Sequence, residues 1–269
     1  MENIKANILE LMFKHQLDLV NYYQKIEGLP DYPVDINSKE GQRLLKDFGR
    51  RFIEELSEAY ENLFIANSLM GENKHTQAKS YQEEYNQEIS DAWHFLLELC
   101  IFAGYGSWES IELLINNYTA ENEKWDSLVK QGKPFKSLLN IATSINFNEN
   151  QRHSGILKFG SYPIVTVREA MDNPCIAGGR NTSPEILQTH AQLLWELTAT
   201  LNLTLHTLKN KDWKQTEKEV NIRKFEINLI ETFLRFAIYL DYAGFGEIGI
   251  ATNFNLTTKK NLKRIKDGY

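Results

Sequence analysis

Four acidic residues stand in two pairs in the first third of the chain: Glu55 and Glu58 within RFIEELSEAY, and Glu88 and Asp91 within QEISDAWHF. Each pair has i, i+3 spacing, so on a helix both side chains leave the same side, one turn apart. Like charges so placed repel. The second pair lies on a stretch whose opposite side is apolar, through Ile89, Trp93, Leu96 and Leu97. If the two helices face each other, four carboxylates converge, and cations must neutralise them. An all-oxygen donor set with room for waters suits Mg²⁺, or alternatively Mn²⁺. One acidic pair on a helix is ordinarily solvated surface. Two pairs on successive helices, each flanked by apolar residues, bring metal binding level with that simpler explanation.

The elements that must position these residues are helices. Apolar residues recur at helical spacing through residues 3–25, 41–69, 81–102 and 107–130. Between the first two runs, GLPDYPVD contains a glycine and two prolines that break a helix, and Ser38 then offers a start for a helix from about Glu40. AGYGS, from Ala103 to Ser107, ends the third run, and the next begins near Trp108. The second half of the chain repeats this plan. Pro33 corresponds to Pro174 and Glu55 to Glu196 at an offset of 141 residues, and AGYG at Ala103 corresponds to AGFG at Ala243 at an offset of 140. The expected organisation is a helical unit over 1–134, a linker over 135–172 and a second unit over 173–269. Within the linker, KFGSYPIVTV has the composition of a short extended segment. Each unit is small for burying its own helices, so the two should pack on each other as a pseudo-dimer, giving one all-α helical bundle.

Composition narrows the functional classes. The 269 residues are 42% hydrophobic and 25% charged, which argues for a packed globular fold. A net charge of −6 and a pI near 5.6 supply no field for a nucleic-acid backbone, so polymeric nucleic acid is not an expected partner. No apolar run approaches the roughly 20 residues that span a bilayer, and MENIKANILEL lacks the pattern of a secretory leader. A cytoplasmic protein is expected. Cys100 and Cys175 are too few for a disulfide framework and suit packing roles.

Glu54-Glu55-Leu56-Ser57-Glu58 followed by Glu88-Ile89-Ser90-Asp91 resembles the EExxE…ExxD signature of the all-α nucleoside triphosphate pyrophosphatases. The run from Asp91 to Leu99, DAWHFLLEL, is similar to the DxxHFLLEL stretch of dimeric dUTPases and related phage dCTPases. The C-terminal NLKRIKDGY, from Asn261 to Tyr269, resembles that family's closing NxxRxxxGY segment. The resemblance implies Mg²⁺-dependent hydrolysis of a pyrimidine deoxynucleoside triphosphate, dUTP or dCTP, to the monophosphate and pyrophosphate. Glu55, Glu58, Glu88 and Asp91 would hold the metal, with Glu55 or Glu54 as general base. Lys260, Asn261 and Arg264 would contact phosphates. Gln16 would read the base, His94 would touch sugar or base, and Phe95, seven residues after Glu88 on nearly the same helix face, would stack on the base. Each of these last three has a plainer role open to it: an exposed helix position for Gln16, a buried hydrogen-bonded histidine for His94, a core aromatic for Phe95.

The departures from the family pattern are equally specific. The second half has Trp195, Glu196 and Ala199 at the places of Glu54, Glu55 and Glu58, then Asn228, Glu231, Leu234 and Arg235 at those of Glu88, Asp91, His94 and Phe95. That half is expected not to bind metal. In the first half, Asn122 matches Asn261, but Trp125 stands where Arg264 stands in the second. One active site is therefore expected, with metal ligands from the first half and Lys260 and Arg264 reaching it from the second. The family's Trp-Lys-rich segment between the acidic motifs is replaced by ENKHTQAKSY, where Lys74 or Lys79 would have to substitute. Two other functions stay open at this point, a MazG-type pyrophosphatase of other nucleotides and a catalytically weak helical interaction protein. Either a monomer that is its own pseudo-dimer or a homodimer fits the plan. The phage likeness admits a viral origin and a host-cytoplasmic setting.

Overall fold

Ser38 shows how local sequence sets the frame. Its Oγ accepts a hydrogen bond from the Gly41 amide at 3.0 Å and donates one to the Asp35 carbonyl at 2.8 Å. This caps a 33-residue helix, Lys39–Gly71, which spans about 50 Å at 1.5 Å per residue. Leu45, Phe48, Phe52, Leu56, Ala59, Leu63 and Ala66 form its buried stripe, at spacings of three or four. The chain then reverses tightly. Asn73 takes a left-handed conformation, φ 60°, and the Lys74 amide closes on the Leu69 carbonyl at 2.9 Å.

The computed structural model describes residues 8–121, 184–210, 218–245 and 247–267. These contain seven α-helices and no strand: α1 (Ile8–Glu27), α2 (Lys39–Gly71), α3 (His75–Phe102), α4 (Trp108–Glu121), α5 (Pro184–Thr207), α6 (Ile222–Tyr242) and α7 (Glu247–Lys266). The all-α class expected from the sequence is the class observed. The linker over 135–172, residues 122–130 of the fourth expected helix, and Asn122, Trp125, Pro174 and Cys175 lie outside the described residues. The third helix starts at His75 rather than at 81. Ala78 is the one buried residue of its first six, too little to register as an apolar period, yet the tight turn before it leaves no room for a loop.

The helices α2 and α3 pair as one hairpin, and α5 and α6 as another. Their inner faces meet in one core, where Trp93 lies against Phe233 and Phe236, with ring centroids 5.3 and 5.2 Å apart, and Phe52 meets Phe236 edge-on at 5.2 Å. The outer helices cross over: α7 packs on α3, and α4 on α6, while α1 lies against α3, α4 and α7. At the N-terminal end of α2, Gln42 and Asn210 stitch the hairpins together. The Gln42 carboxamide accepts from the Asn210 amide at 2.7 Å, and Asn210 donates to the Asn37 carbonyl at 2.9 Å.

AGYG and AGFG are built alike. Ala103 and Ala243 donate to the carbonyls four residues back, at 3.0 and 2.8 Å, while Tyr105 and Phe245 donate to those five back, at 2.8 and 2.9 Å. The intervening glycines, Gly104 and Gly244, take φ of 100° and 76°, which a side chain would strain. Among the described residues, no helix is long and apolar enough to cross a membrane.

Candidate metal centre

The side-by-side packing of α2 and α3 turns two local spacings into one cluster. Glu55 on α2 and Glu88 and Asp91 on α3 each offer a carboxyl oxygen, and these oxygens all lie within 4.8 Å of one another. All three residues are half-buried. Glu58, the fourth acidic residue expected there, is outside this trio and exposed, three positions on from Glu55 along α2. Its negative charge still raises the pKa values of Glu55, Glu88 and Asp91. Glu54 is exposed beside them.

Electrostatics shows what the cluster demands. Burial, then a hydrogen bond with Glu88, then the charges of Asp91, Glu88 and Glu58 push Glu55 up to about 8. Glu88 and Asp91 are also raised, chiefly by burial. Raised to about 8, Glu55 favours its protonated form at neutral pH, the form that can donate in its hydrogen bond with Glu88. A half-buried, all-carboxyl set that retains a proton to limit its own repulsion has the donor chemistry of a hard divalent cation site. Positive charge also arrives from the second half of the chain. On α7, Lys260 lowers Glu88 and Asp91, and Arg264 lowers Asp91, through their charges. Asn261 lies beside Lys260, half-buried. Gln87, which the motifs do not mark, donates to Asp91 Oδ2 at 3.4 Å.

One turn further along α3 the polar groups turn inward. Gln16 on α1 is 1% exposed and His94 4%. His94 Nδ1 hydrogen-bonds Gln16 Oε1, and Gln16 Nε2 donates to Glu98 Oε1 at 2.9 Å. Because Gln16 presents its oxygen to the ring, Nδ1 must carry the proton. The His94 ring stacks on Phe254 of α7, with centroids 4.0 Å apart and planes 11° apart. Burial pulls His94 down to about 3 and pushes Glu98 up to about 8, so both are neutral at pH 7. Glu98 lies within the DAWHFLLEL run with no role expected of it there, although its i+4 spacing from His94 marks the same helix face. Phe254 had no such signal. Gln16 is thus buried rather than an exposed helix position, and both ends of its carboxamide are occupied. Phe95 is half-buried, with the Arg51 guanidinium 5.7 Å from its ring centre. Lys74 pairs with Glu72 at 2.7 Å and Lys79 with Glu83 at 3.8 Å, all on the surface.

In the second half, the positions matching Glu55 and Asp91 hold a different solution. The Arg235 guanidinium donates to Glu196 at 2.8 Å and to Glu231 at 3.0 and 3.2 Å. A side-chain cation from the position matching Phe95 thereby neutralises these two carboxylates. Comparison with family models, with curated proteins and with solved structures found no match to this chain.

Proposed function

We propose that this chain is a metal-dependent hydrolase of a pyrimidine deoxynucleoside triphosphate, dUTP or dCTP, releasing the monophosphate and pyrophosphate. The observation that carries this is the meeting of Glu55, Glu88 and Asp91 from two helices, with Lys260 of α7 acting on Glu88 and Asp91 and Arg264 on Asp91. Glu55, Glu88 and Asp91, with Glu58 at the rim, would hold Mg²⁺, or Mn²⁺ in its place. When bound, the ion would neutralise triphosphate charge and acidify a coordinated water. Lys260, Asn261 and Arg264 bind phosphate oxygens and stabilise charge on the leaving side. Glu54, or Glu55 once its own proton is lost, accepts the proton of the attacking water. Phe95 stacks against the base, and Gln16 and His94 would have to leave their buried mutual hydrogen bond to reach its edge.

We also read the two hairpins as products of a duplication. The like-built AGYG and AGFG caps and the crossed packing of α4 and α7 support this. Under that reading the chain is a pseudo-dimer acting in the cytoplasm, whether its own or a host's, as a monomer or homodimer.

The test is pyrophosphate release from dUTP, dCTP, dTTP, dATP and dGTP with and without Mg²⁺, beside Glu55→Gln and Arg264→Ala. Metal-dependent turnover of a pyrimidine, abolished by Glu55→Gln and reduced roughly 10²-fold by Arg264→Ala, is expected. Turnover of purines alone would move the assignment to a MazG-type enzyme. No turnover of any substrate sinks the hydrolase and favours a helical binding protein.

A further inference from the structure

On the side of α3 turned away from the carboxylates, Asn86, Ser90 and Trp93 recur at i, i+4 and i+7 and so share a face. Together with Ile89, Leu240, Phe245, Asn253 and Phe254 they line a small cavity where α3 meets the end of α6, the Phe245 turn and α7. Trp93 and Ser90 are at least 95% buried, at 2% and 5% exposure. Yet Asn86 Oδ1, Ser90 Oγ and Trp93 Nε1 have no hydrogen-bond partner among the described residues. A buried polar atom left unpaired costs roughly 1–3 kcal/mol. Three residues that carry such atoms line one cavity, which points to a ligand.

Their chemistry selects it. Trp93 Nε1–H can only donate, which excludes a metal cation or ammonium at that point. Asn86 Oδ1 can only accept, which excludes an anion. Ser90 Oγ does either. The ligand must be neutral, both donor and acceptor, and small, since the space holds about one water molecule. We propose that the cavity binds one ordered water that accepts from Trp93 Nε1–H, donates to Asn86 Oδ1 and pairs with Ser90 Oγ. Three bonds are the usual complement of a buried water. Asn253 and Phe254 place this water in the seam where α7 docks on α3, two helical turns before Lys260. The water thereby helps set where along α3 the cations of α7 lie. The site stands on its own geometry, whether or not the chain hydrolyses nucleotides.

The indole N–H of Trp93 reports on it directly in the full-length protein by NMR. In the wild type, a cross-peak between that proton and a long-lived water is expected. Ser90→Ala, which leaves Trp93 and Asn86 in place, should retain the peak. Ser90→Val, whose methyl groups fill the space, should lose it while the chain stays folded. A wild-type indole proton with no bound-water peak overturns the proposal, as does a peak that survives Ser90→Val. Should Ser90→Val fail to fold, a crystal structure of the wild type decides instead. Density within hydrogen-bond reach of all three atoms supports the water, and bare or protein-paired atoms overturn it.

Discussion

At the scale of single residues, the cluster and the buried triad are governed by the same cost of burying charge, and each responds to it differently. Glu55 is raised to about 8 by burial and by its carboxyl neighbours, so a cation that binds at this cluster would have to displace a proton. Metal affinity should therefore rise with pH and level off above about 8, where the proton is already gone. Calorimetric titration of Mn²⁺ at pH 7 in buffers of different ionisation enthalpy should show proton release, and Glu55→Gln should abolish the binding. Glu98 is different because no cation is needed there. Its pKa is raised from 4.5 to about 8, so the folded state holds the proton more tightly than the unfolded chain. This contribution is full below pH 4.5 and is lost as pH rises to about 8, by at most about 1.4 kcal/mol per pH unit. Glu98→Gln keeps the acceptor for Gln16 and removes the titration, so thermal melts between pH 5 and 8, as rough bounds, should lose that downward slope. An unchanged slope would mean that the carboxyl is not neutral in the folded state.

At the scale of elements, the placement of Glu55 depends on how α2 begins. Ser38 and Asp35 fix the register of the first turn, and Gly41 lies so close that an added Cβ would sit 2.2 Å from the Asp35 carbonyl oxygen. Because the obstacle is backbone, it cannot rotate aside. Gly41→Ala should cost more than the roughly 1 kcal/mol expected for loss of the cap in Ser38→Ala, despite alanine's better helix propensity. Chemical denaturation of the two variants checks the order, and equal stability of Gly41→Ala and wild type would show that the turn before α2 is free to move. On α3 the same helix presents carboxylates to one side, Trp93 to the core and His94 to α1, with Glu98 carrying the inward face one turn further. Its sequence reads as a weak amphipathic helix for that reason: three of its faces have partners.

At the scale of the whole molecule, the two hairpins share one interior. Trp93 belongs to the first and touches Phe233 and Phe236 of the second, so neither hairpin has a private core at this point. Trp93→Ala should cost about 3–5 kcal/mol and lower the stability of both hairpins together. Calorimetry should show one transition in the wild type, displaced downward in the variant. Two separate transitions, only the first displaced, would mean that the hairpins fold independently. The shared interior also bears on the chemistry, since it lets α7, from the far end of the chain, lie along α3 and bring Lys260 and Arg264 to carboxylates about 170 residues earlier.

The sequence by itself determined the helical class, the approximate bounds of the first-half helices apart from the start of α3, the breaks at GLPDYPVD and AGYG, and the pairing of carboxylates on single helix faces. All of these follow from local periodicity and from residues that cap or break helices, which act within a turn or two of themselves. It also marked Glu55, Glu58, Glu88 and Asp91 as one set. Only the tertiary structure decided that the oxygens of Glu55, Glu88 and Asp91 meet, because the distance between two helix faces depends on packing and not on spacing. It placed Glu58 at the rim, turned Gln16 inward onto His94 and Glu98, and set Phe254 against the histidine. It also joined Glu196 and Glu231 through Arg235. Each of these depends on which side of one helix rests on another, a choice made by burial summed over the whole core.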